Sequence, residues 1–222
     1  IIYFIYYHIY SFIYIYLMIS LKNAFVILKY VLTLINYFVI FKWIKLFKGN
    51  NYINMKIGAF TGKFYPPHMG HLSAIDYSLT KCDKVIIVIS NNASRNEKIK
   101  KDYNFDIIDA KLIKNWFEEY YIDNDRVKVA IIDENGLKPY PDNQIEWVER
   151  FKRKFPEVNV KIADESYREF NEKFFPECQF LPLERDIIPI HSTLIRQNVM
   201  ANIQYIIPTA RDYFKNLYGN RK

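Results

Sequence analysis

The 222-residue chain contains only two cysteines and six glycines. Cys82 and Cys178 lie far apart, so no closely spaced pair of thiols predicts a zinc site or a local disulfide. Two cysteines at this distance suit a protein that folds in a reducing compartment. We therefore expect a cytoplasmic protein whose two thiols are unpaired and buried.

Residues 1–54 lack every acidic residue, and they also lack proline, arginine, glutamine and cysteine. Their only charges are five lysines, which leaves 26 basic and 24 acidic residues in the rest of the chain. The net charge of +7 therefore comes largely from this leader. A nucleic-acid-binding protein needs a basic face within a folded domain, so we expect no nucleic-acid partner.

Two interpretations of the leader stay open. Residues 1–20 form an uncharged apolar run long enough to cross a bilayer, and 24–41 form a second run broken only by Lys29. The lysines that follow would then hold the rest of the chain on the cytoplasmic side. Alternatively, the leader has the composition of AT-rich DNA translated without selection, and Met55 directly precedes the first predicted strand. We favour this mis-started translation, with a membrane partner expected only if the leader is real.

Residues 55–222 alternate short apolar runs with amphipathic segments, which is typical of a single α/β domain. The polar and basic run at 91–101 is predicted to be a mobile loop, either a solvated surface loop or a lid over a nucleotide. We predict strands at 56–60, 84–90, 127–132 and 158–163, and helices at 70–80, 105–121, 143–155, 167–174, 192–199 and 208–217.

The most informative segment is 62–71, GKFYPPHMGH, where the first strand hands over to the first helix. His68 and His71 are three residues apart and therefore share one helical face. Open α/β sheets bind ligands at this edge, and a helix N-terminus presents free N–H groups to phosphate. The segment therefore predicts a site for the phosphates of a nucleotide.

Three other interpretations of this segment are weaker. A zinc site needs three or four protein ligands, and the only other histidines are His8 and His191. A P-loop needs four residues between its glycines and Ser or Thr after its lysine, whereas three residues separate Gly58 from Gly62 and Phe64 follows the lysine. Histidines that only cap a turn would leave the nearby Lys63 unexplained.

Residues 62–71 resemble the G-x-F-x-P-x-H-x-G-H signature of the HIGH-type nucleotidyltransferase superfamily. Residues 190–196, IHSTLIR, resemble its second signature, I-S-x-T-x-x-R. Thr193 and Arg196 match that signature, while His191 stands where the family has serine. The resemblance implies a Rossmann-like, doubly wound parallel sheet.

Within that superfamily, the chain resembles the adenylyltransferase domain of the NadR-like bacterial nicotinamide-nucleotide adenylyltransferases. The similarity runs from Met55 to about Phe214 and includes 135–141, NGLKPYP, with Trp147 downstream. It implies transfer of AMP from ATP to nicotinamide mononucleotide, which gives NAD and pyrophosphate. Mg²⁺ is then expected to bind to the triphosphate of ATP, with no metal ligands from the protein. The sequence is compatible with a homo-oligomer.

The same resemblance assigns roles to individual residues. His68, His71, Lys63 and Arg196 are the expected catalytic residues, with His71 stabilising the pentacoordinate α-phosphate. The expected ATP-binding residues are Gly62, Phe64, Gly70, Ser192 and Thr193. The aromatic faces of Tyr140 and Trp147 are candidates for binding the flat, cationic nicotinamide ring.

Two other functions stay open at this stage. Another member of the superfamily would use a different phosphate acceptor, such as phosphopantetheine, flavin mononucleotide or an alcohol phosphate in a cytidylyl transfer. A non-catalytic nucleotide-binding scaffold, tethered or sensing, has less need of the complete set of His68, His71 and Arg196.

The leader hypothesis gives a direct test. A chain that begins at Met55 should be soluble, folded and as active as the full chain, because both signatures and the whole α/β pattern lie beyond that residue. The measurement is mass-spectrometric peptide mapping of the native protein, together with activity of both lengths. Native peptides that span residues 30–42 would contradict the mis-start and favour the anchor.

Overall fold

The computed structural model describes residues 55–183 and 190–220, together with positions 10, 11 and 14. Both interpretations of the leader therefore concern residues that lie almost wholly outside the described part. Met55–Lys222 form one compact unit. None of the described helices has both the length and the continuous apolar character needed to cross a bilayer.

A parallel five-stranded sheet forms the centre of this unit, with strand order β3-β2-β1-β4-β5. Along β2, residues 85–89 are all buried because helices cover both faces of the sheet. The sheet confirms the predicted Rossmann-like, doubly wound fold. Its strands are β1 (Ile57–Gly62), β2 (Lys84–Asn91), β3 (Val127–Asp133), β4 (Val160–Asp164) and β5 (Gln179–Leu183).

Helices pack on the two faces of the sheet around two separate apolar clusters. One cluster takes the side chains of Ile87 and its alternate neighbours, and the other takes Ile86 and Val88, as the two-residue period of a strand requires. The helices are α1 (Met69–Leu79), α2 (Ala93–Tyr103), α3 (Ala110–Tyr120), α4 (Gln144–Lys154), α5 (Arg168–Phe174), α6 (Ser192–Gln197) and α7 (Pro208–Tyr218).

Helices α1, α3, α6 and α7 contribute to the first cluster, and α4 and α5 pack against the second. A short 3₁₀ turn at Glu165–Tyr167 joins β4 to α5, and another at Ile203–Tyr205 joins α6 to α7. The four predicted strands and six predicted helices are all present. The third helix is shorter than predicted because Asp109 caps its start by accepting a hydrogen bond from the Lys111 backbone N–H.

The loop predicted at 91–101 was wrong, because most of this segment forms helix α2. The Asn92 side chain accepts a hydrogen bond from the Arg95 backbone N–H at the start of α2, and Asn104 ends it in the left-handed conformation. Only Asn96 and Ile99 are buried along α2. Ile99 is thus the only buried apolar residue of α2, which explains why the sequence pattern did not indicate a helix.

Strand β5 was not predicted either. Its sequence includes Pro182, which usually argues against a strand because proline cannot donate to the hydrogen-bond ladder. β5 lies at the edge of the sheet and pairs only with β4, so the missing N–H does no harm.

The strand order makes β1 the point where the direction in which successive strands are added to the sheet reverses. The chain leaves β1 for β2 on one side, and later returns to β4 on the other side. A crevice opens at such a switch point beyond the carboxyl ends of the strands, where doubly wound sheets bind ligands. The turn from β1 to α1 carries both histidines to this crevice.

Candidate active site

The turn from β1 to α1 is held in an unusual shape by Phe64. This residue has φ 53°, in the left-handed region, and its buried ring packs on Phe60 and Phe117 and against the edge of His71. A Cβ atom on Gly62 would lie 3.0 Å from the Phe64 ring, so glycine suits this position. The structure therefore assigns Gly62 and Phe64 a shaping role in the turn, and direct contact with ATP stays a prediction.

Tyr65 fastens the same turn to the segment before α3. Its hydroxyl donates to the Asp106 carbonyl at 3.1 Å and accepts from the Ile108 backbone N–H at 2.5 Å. Burial raises the pKa of Tyr65 to about 12, so the hydroxyl stays protonated and keeps its donor role. The peptide bond between Tyr65 and Pro66 is cis.

His68 and His71 form a stacked pair at the N-terminus of α1. Their ring centroids are 3.6 Å apart with 25° between the planes. His68 is the N-cap residue, and its backbone N–H donates to His71 Nδ1 at 3.1 Å. Because Nδ1 of His71 accepts this hydrogen bond, the neutral ring carries its proton on Nε2.

Both imidazoles are neutral donors rather than cations at pH 7. Burial, and then the charges of His191 and Arg196, lower the pKa of His68 to about 3. Burial also holds the pKa of His71 well below its usual value. Among the described residues, the buried Nδ1 of His68 has no hydrogen-bond partner. The pair therefore presents uncharged N–H donors near neutral pH.

Gly70 keeps this pair free of steric conflict. A Cβ atom at this position would lie 3.1 Å from His68 Nδ1 and 3.3 Å from the Ile190 side chain. Glycine therefore allows the His68 ring to sit against the first turn of the helix.

Helix α6 brings the second sequence signature onto the same turn. Arg196 donates from Nη1 to the Tyr65 carbonyl at 2.5 Å and from Nη2 to Thr193 Oγ1 at 3.0 Å, and its guanidinium lies 4.7 Å from the Tyr103 ring centroid. Ser192 Oγ donates to the Pro66 carbonyl at 3.2 Å. The structure thus joins two motifs that are about 120 residues apart in sequence.

Lys63, the second residue of the first motif, is a partly buried cation. Its Nζ donates to the Asn92 carbonyl at 3.3 Å. Burial, followed by the charge of Arg95, lowers the pKa of Lys63 to about 8, against an opposing effect of Glu134. The Lys63 ammonium therefore begins to lose its proton just above neutral pH.

Arg95 is a candidate site residue that the sequence did not reveal. It lies in the first turn of α2, and its charge contributes to lowering the pKa of both Lys63 and Arg196, for which burial is the largest cause. The run 91–101 was interpreted as a solvated loop or a lid over a nucleotide, and neither interpretation singled out Arg95. Asn92 is a residue type that commonly begins a helix, and Arg95 follows it by three residues. That N-cap signal could have indicated a helix with Arg95 in its first turn.

The two predicted acceptor residues differ in their surroundings. Trp147 is partly buried, stacks on Phe151 with centroids 5.4 Å apart, and donates from Nε1 to Glu134 Oε1 at 2.8 Å. Tyr140 is 76% exposed in the segment between β3 and α4. The structure ties Trp147 to the carboxyl edge of the sheet, and it leaves Tyr140 in solvent.

His191 occupies the N-cap position of α6 and is exposed. After burial, His191 is the next largest cause of the lowered pKa of His68. In residues 55–183 and 190–220, no three His, Cys, Asp or Glu side chains converge in a way that could hold a metal ion.

Three proteins of related sequence are informative. The chain is 22% identical over 167 residues to the trifunctional NAD biosynthesis/regulator protein NadR of Salmonella typhimurium, covering 71% of this chain and 40% of that protein. It is 31% identical over 157 residues to phosphopantetheine adenylyltransferase of Wolbachia pipientis, covering 65% of this chain and 81% of that protein. It is 30% identical over 103 residues to nicotinamide-nucleotide adenylyltransferase of Pyrobaculum arsenaticum, covering 46% of this chain and 53% of that protein. The chain thus spans about two fifths of the length of NadR.

Solved structures share the fold. A NadR protein in complex with NR superposes with a TM-score of 0.54 at 24% identity, over 70% of this chain and 44% of that one. A bifunctional NMN adenylyltransferase/ADP ribose pyrophosphatase from Francisella tularensis superposes with a TM-score of 0.58 at 18% identity, over 75% and 51%. No family model matches the chain.

The position of Lys63 predicts a pH limit on triphosphate binding. Lys63 is protonated below its pKa of about 8, so its charge supports anion binding there and is lost as the pH rises through 8. Affinity for ATP, measured by calorimetry without an acceptor, should fall by up to about tenfold for each pH unit above the pKa.

The Lys63→Arg variant is the matched control, because arginine keeps its charge throughout this range. Its affinity for ATP should stay level between pH 8 and pH 10, even if the absolute affinity is lower. The same alkaline loss in the arginine variant would show that another group controls binding.

Proposed function

The chain belongs to the adenylyltransferases of the HIGH-type nucleotidyltransferase superfamily, and from that premise we propose that it transfers AMP from Mg-ATP to nicotinamide mononucleotide, giving NAD and pyrophosphate. The observation that supports this most is the stacked pair His68 and His71 at the switch point of the sheet. Arg196 and Thr193 flank the same turn from α6.

The reaction needs positioning and charge stabilisation rather than a base. The phosphate monoester of the acceptor is already an anion near neutral pH, and it attacks the α-phosphorus of ATP as pyrophosphate leaves. Charge then spreads over the phosphate oxygens, where preorganised donors have their greatest effect. The protonated Nε2 of neutral His71 is such a donor, held in orientation by the hydrogen bond at Nδ1.

Cations from three elements would neutralise the triphosphate. Lys63 follows β1, Arg95 lies on α2, and Arg196 lies on α6. The guanidinium of Arg196 can pair with phosphate through its planar fork, and its buried Nε has no partner among the described residues. Lys63 would gain a proton more readily once an anion is bound, since the anion offsets the burial that lowers its pKa.

Magnesium fits this set of residues as a companion of the triphosphate. Mg²⁺ usually takes one or two carboxylates from the protein and the rest of its oxygens from substrate phosphates and water. Glu134 is a carboxylate close enough to influence Lys63 and would be the nearby acidic group. When bound, the ion would neutralise phosphate charge and orient the leaving pyrophosphate.

Aromatic side chains at the end of the site away from the phosphate-binding residues support nicotinamide mononucleotide as the acceptor. Trp147 lies beside the carboxyl edge of β3, where it packs on Phe151, and Tyr140 is exposed in the segment between β3 and α4. Both suit a flat, cationic pyridinium ring. One NadR structure is a complex with NAD and AMP-PNP, which agrees with this choice.

Phosphopantetheine is the alternative acceptor, favoured by the similarity to the Wolbachia phosphopantetheine adenylyltransferase. The phosphate-binding half of the site would be the same for either acceptor. The two functions therefore differ only in the pocket around the acceptor. An aromatic side chain there would stack on a flat pyridinium ring but would gain less contact with a flexible pantetheine chain.

Pyrophosphate release with a panel of acceptors tests the proposal. The purified protein is incubated with Mg-ATP and, separately, nicotinamide mononucleotide, phosphopantetheine, flavin mononucleotide and an alcohol phosphate. Nicotinamide mononucleotide should give the fastest release, because its ring matches the aromatic side chains near the acceptor. Faster release with phosphopantetheine would assign the chain to the alternative.

His71→Ala should lower turnover by roughly 10²–10³-fold while weakening ATP binding far less, because the proposed hydrogen bond strengthens in the transition state. The variant also loses the bond to the His68 backbone N–H. The His71→Gln variant is therefore the control, since a glutamine at this helix position can reach back to the same N–H. Near-normal turnover in both variants would remove His71 from the catalytic mechanism.

A further inference from the structure

Tyr103 lies in the last turn of α2 and belongs to neither sequence signature. It shares the inward face of that helix with the buried residues Asn96 and Ile99, because positions three, four and seven residues apart point the same way. The ring of Tyr103 is partly buried and packs against the first apolar cluster. The Arg196 guanidinium lies 4.7 Å from the centre of this ring, within the range of a cation–π contact.

A closed loop of contacts holds these two side chains together. The Tyr65 hydroxyl holds the segment that follows α2, through the Asp106 carbonyl and the Ile108 backbone N–H. The Tyr65 carbonyl accepts a hydrogen bond from Arg196. One buried tyrosine therefore fastens both the chain just after Tyr103 and the guanidinium that meets the Tyr103 ring.

The Arg196 side chain is long, flexible and only partly buried, so it gains from this support. Its Nη1 donates to the Tyr65 carbonyl and its Nη2 to Oγ1 of the exposed Thr193. Fixing a flexible side chain before a ligand arrives removes part of the entropic cost of binding. Burial lowers the pKa of Arg196, and Tyr103 is the neighbour that opposes this lowering most. Tyr103 therefore restrains the guanidinium and also supports its charge.

Helix α2 contacts one candidate phosphate-binding cation at each of its ends. The Asn92 carbonyl accepts a hydrogen bond from Lys63 at the start of the helix, and Tyr103 meets Arg196 in the last turn. Ile99 is the only buried apolar residue of α2, so core packing gives the helix little support. The arrangement indicates that α2 serves the site more than the core.

We propose that Tyr103 is a positioning residue of the adenylyl transfer, and that its aromatic ring keeps the Arg196 guanidinium in place to bind the triphosphate of ATP. This inference rests on the proposed function and assigns part of its phosphate site to a residue outside both signatures. Tyr103 acts through Arg196 and does not act on the reacting atoms.

Calorimetric affinity for ATP, measured with the full chain and without an acceptor, tests the role of the ring. Tyr103→Leu keeps an apolar side chain against the cluster but removes the cation–π contact. Affinity should fall about two- to thirtyfold, the range expected for one such contact. Tyr103→Phe keeps the ring and should retain most of the affinity. An equal loss in both variants would show that the ring does not hold Arg196, and would overturn the inference.

A double-mutant cycle with Arg196 separates positioning from folding. If Tyr103 acts through Arg196, Tyr103→Leu should weaken ATP binding no further in a protein that already carries Arg196→Ala. A residue that only supports the fold would lower the affinity by the same factor in both backgrounds. Additive effects would therefore contradict the inference.

Tyr213 provides the matched control. It packs against the same apolar cluster, where its ring contacts Trp116 and Phe214. Tyr213→Leu removes a ring of the same size and should leave the affinity for ATP unchanged. Thermal unfolding of both leucine variants shows whether the domain remains folded. A loss of ATP affinity as large as that of Tyr103→Leu would show a general effect of cluster packing, against a specific role for Tyr103.

Pyrophosphate release distinguishes this inference from the function on which it rests. With nicotinamide mononucleotide as acceptor, Tyr103→Leu should raise KM for ATP and leave KM for the acceptor unchanged. If the unaltered protein releases pyrophosphate and Tyr103→Leu has the same KM for ATP, the inference is overturned and the proposed function stands. If the unaltered protein binds ATP but no acceptor reacts, the proposed function fails, and the affinity measurements still decide the role of Tyr103.

Discussion

The hydrogen bond from the His68 backbone N–H to His71 Nδ1 sets the properties on which the rest of the site depends. It closes the first turn of α1, holds the two imidazoles in a stack, and leaves the His71 proton on Nε2. The turn that presents this pair is held from α6, where Arg196 and Ser192 donate to the carbonyls of Tyr65 and Pro66. The donors are therefore oriented before any ligand binds.

The site combines uncharged donors with cations that come from different elements. Burial keeps His68 and His71 neutral, while Lys63 titrates at a pKa of about 8. Preorganised donors of this kind have their largest effect where charge develops on an oxygen during a reaction. Beyond Lys63, hydrogen bonds through Asn92 and Glu134 connect this part of the site to the Trp147 indole.

Much of the fold could be predicted from the chain because its strands follow strong local patterns. The uninterrupted apolar run of residues 85–89 indicated a strand, and the paired histidine motif marked the junction between β1 and α1. Helix α2 and strand β5 could not be predicted in the same way. α2 buries only Asn96 and Ile99, and β5 contains Pro182, which is harmless only because the strand lies at the sheet edge.

The sequence by itself determined which chemical groups we propose for the site, because His68, His71, Lys63 and Arg196 belong to compact motifs in which residue type and spacing predict the chemistry. Only the tertiary structure decided how those groups meet and which others join them. Arg95 and Glu134 lie in no motif, and they reach the site because the carboxyl ends of parallel strands converge at one edge. Protonation was decided there too, since burial lowers the pKa of an imidazole or an amine and depends on contacts between residues far apart in the chain.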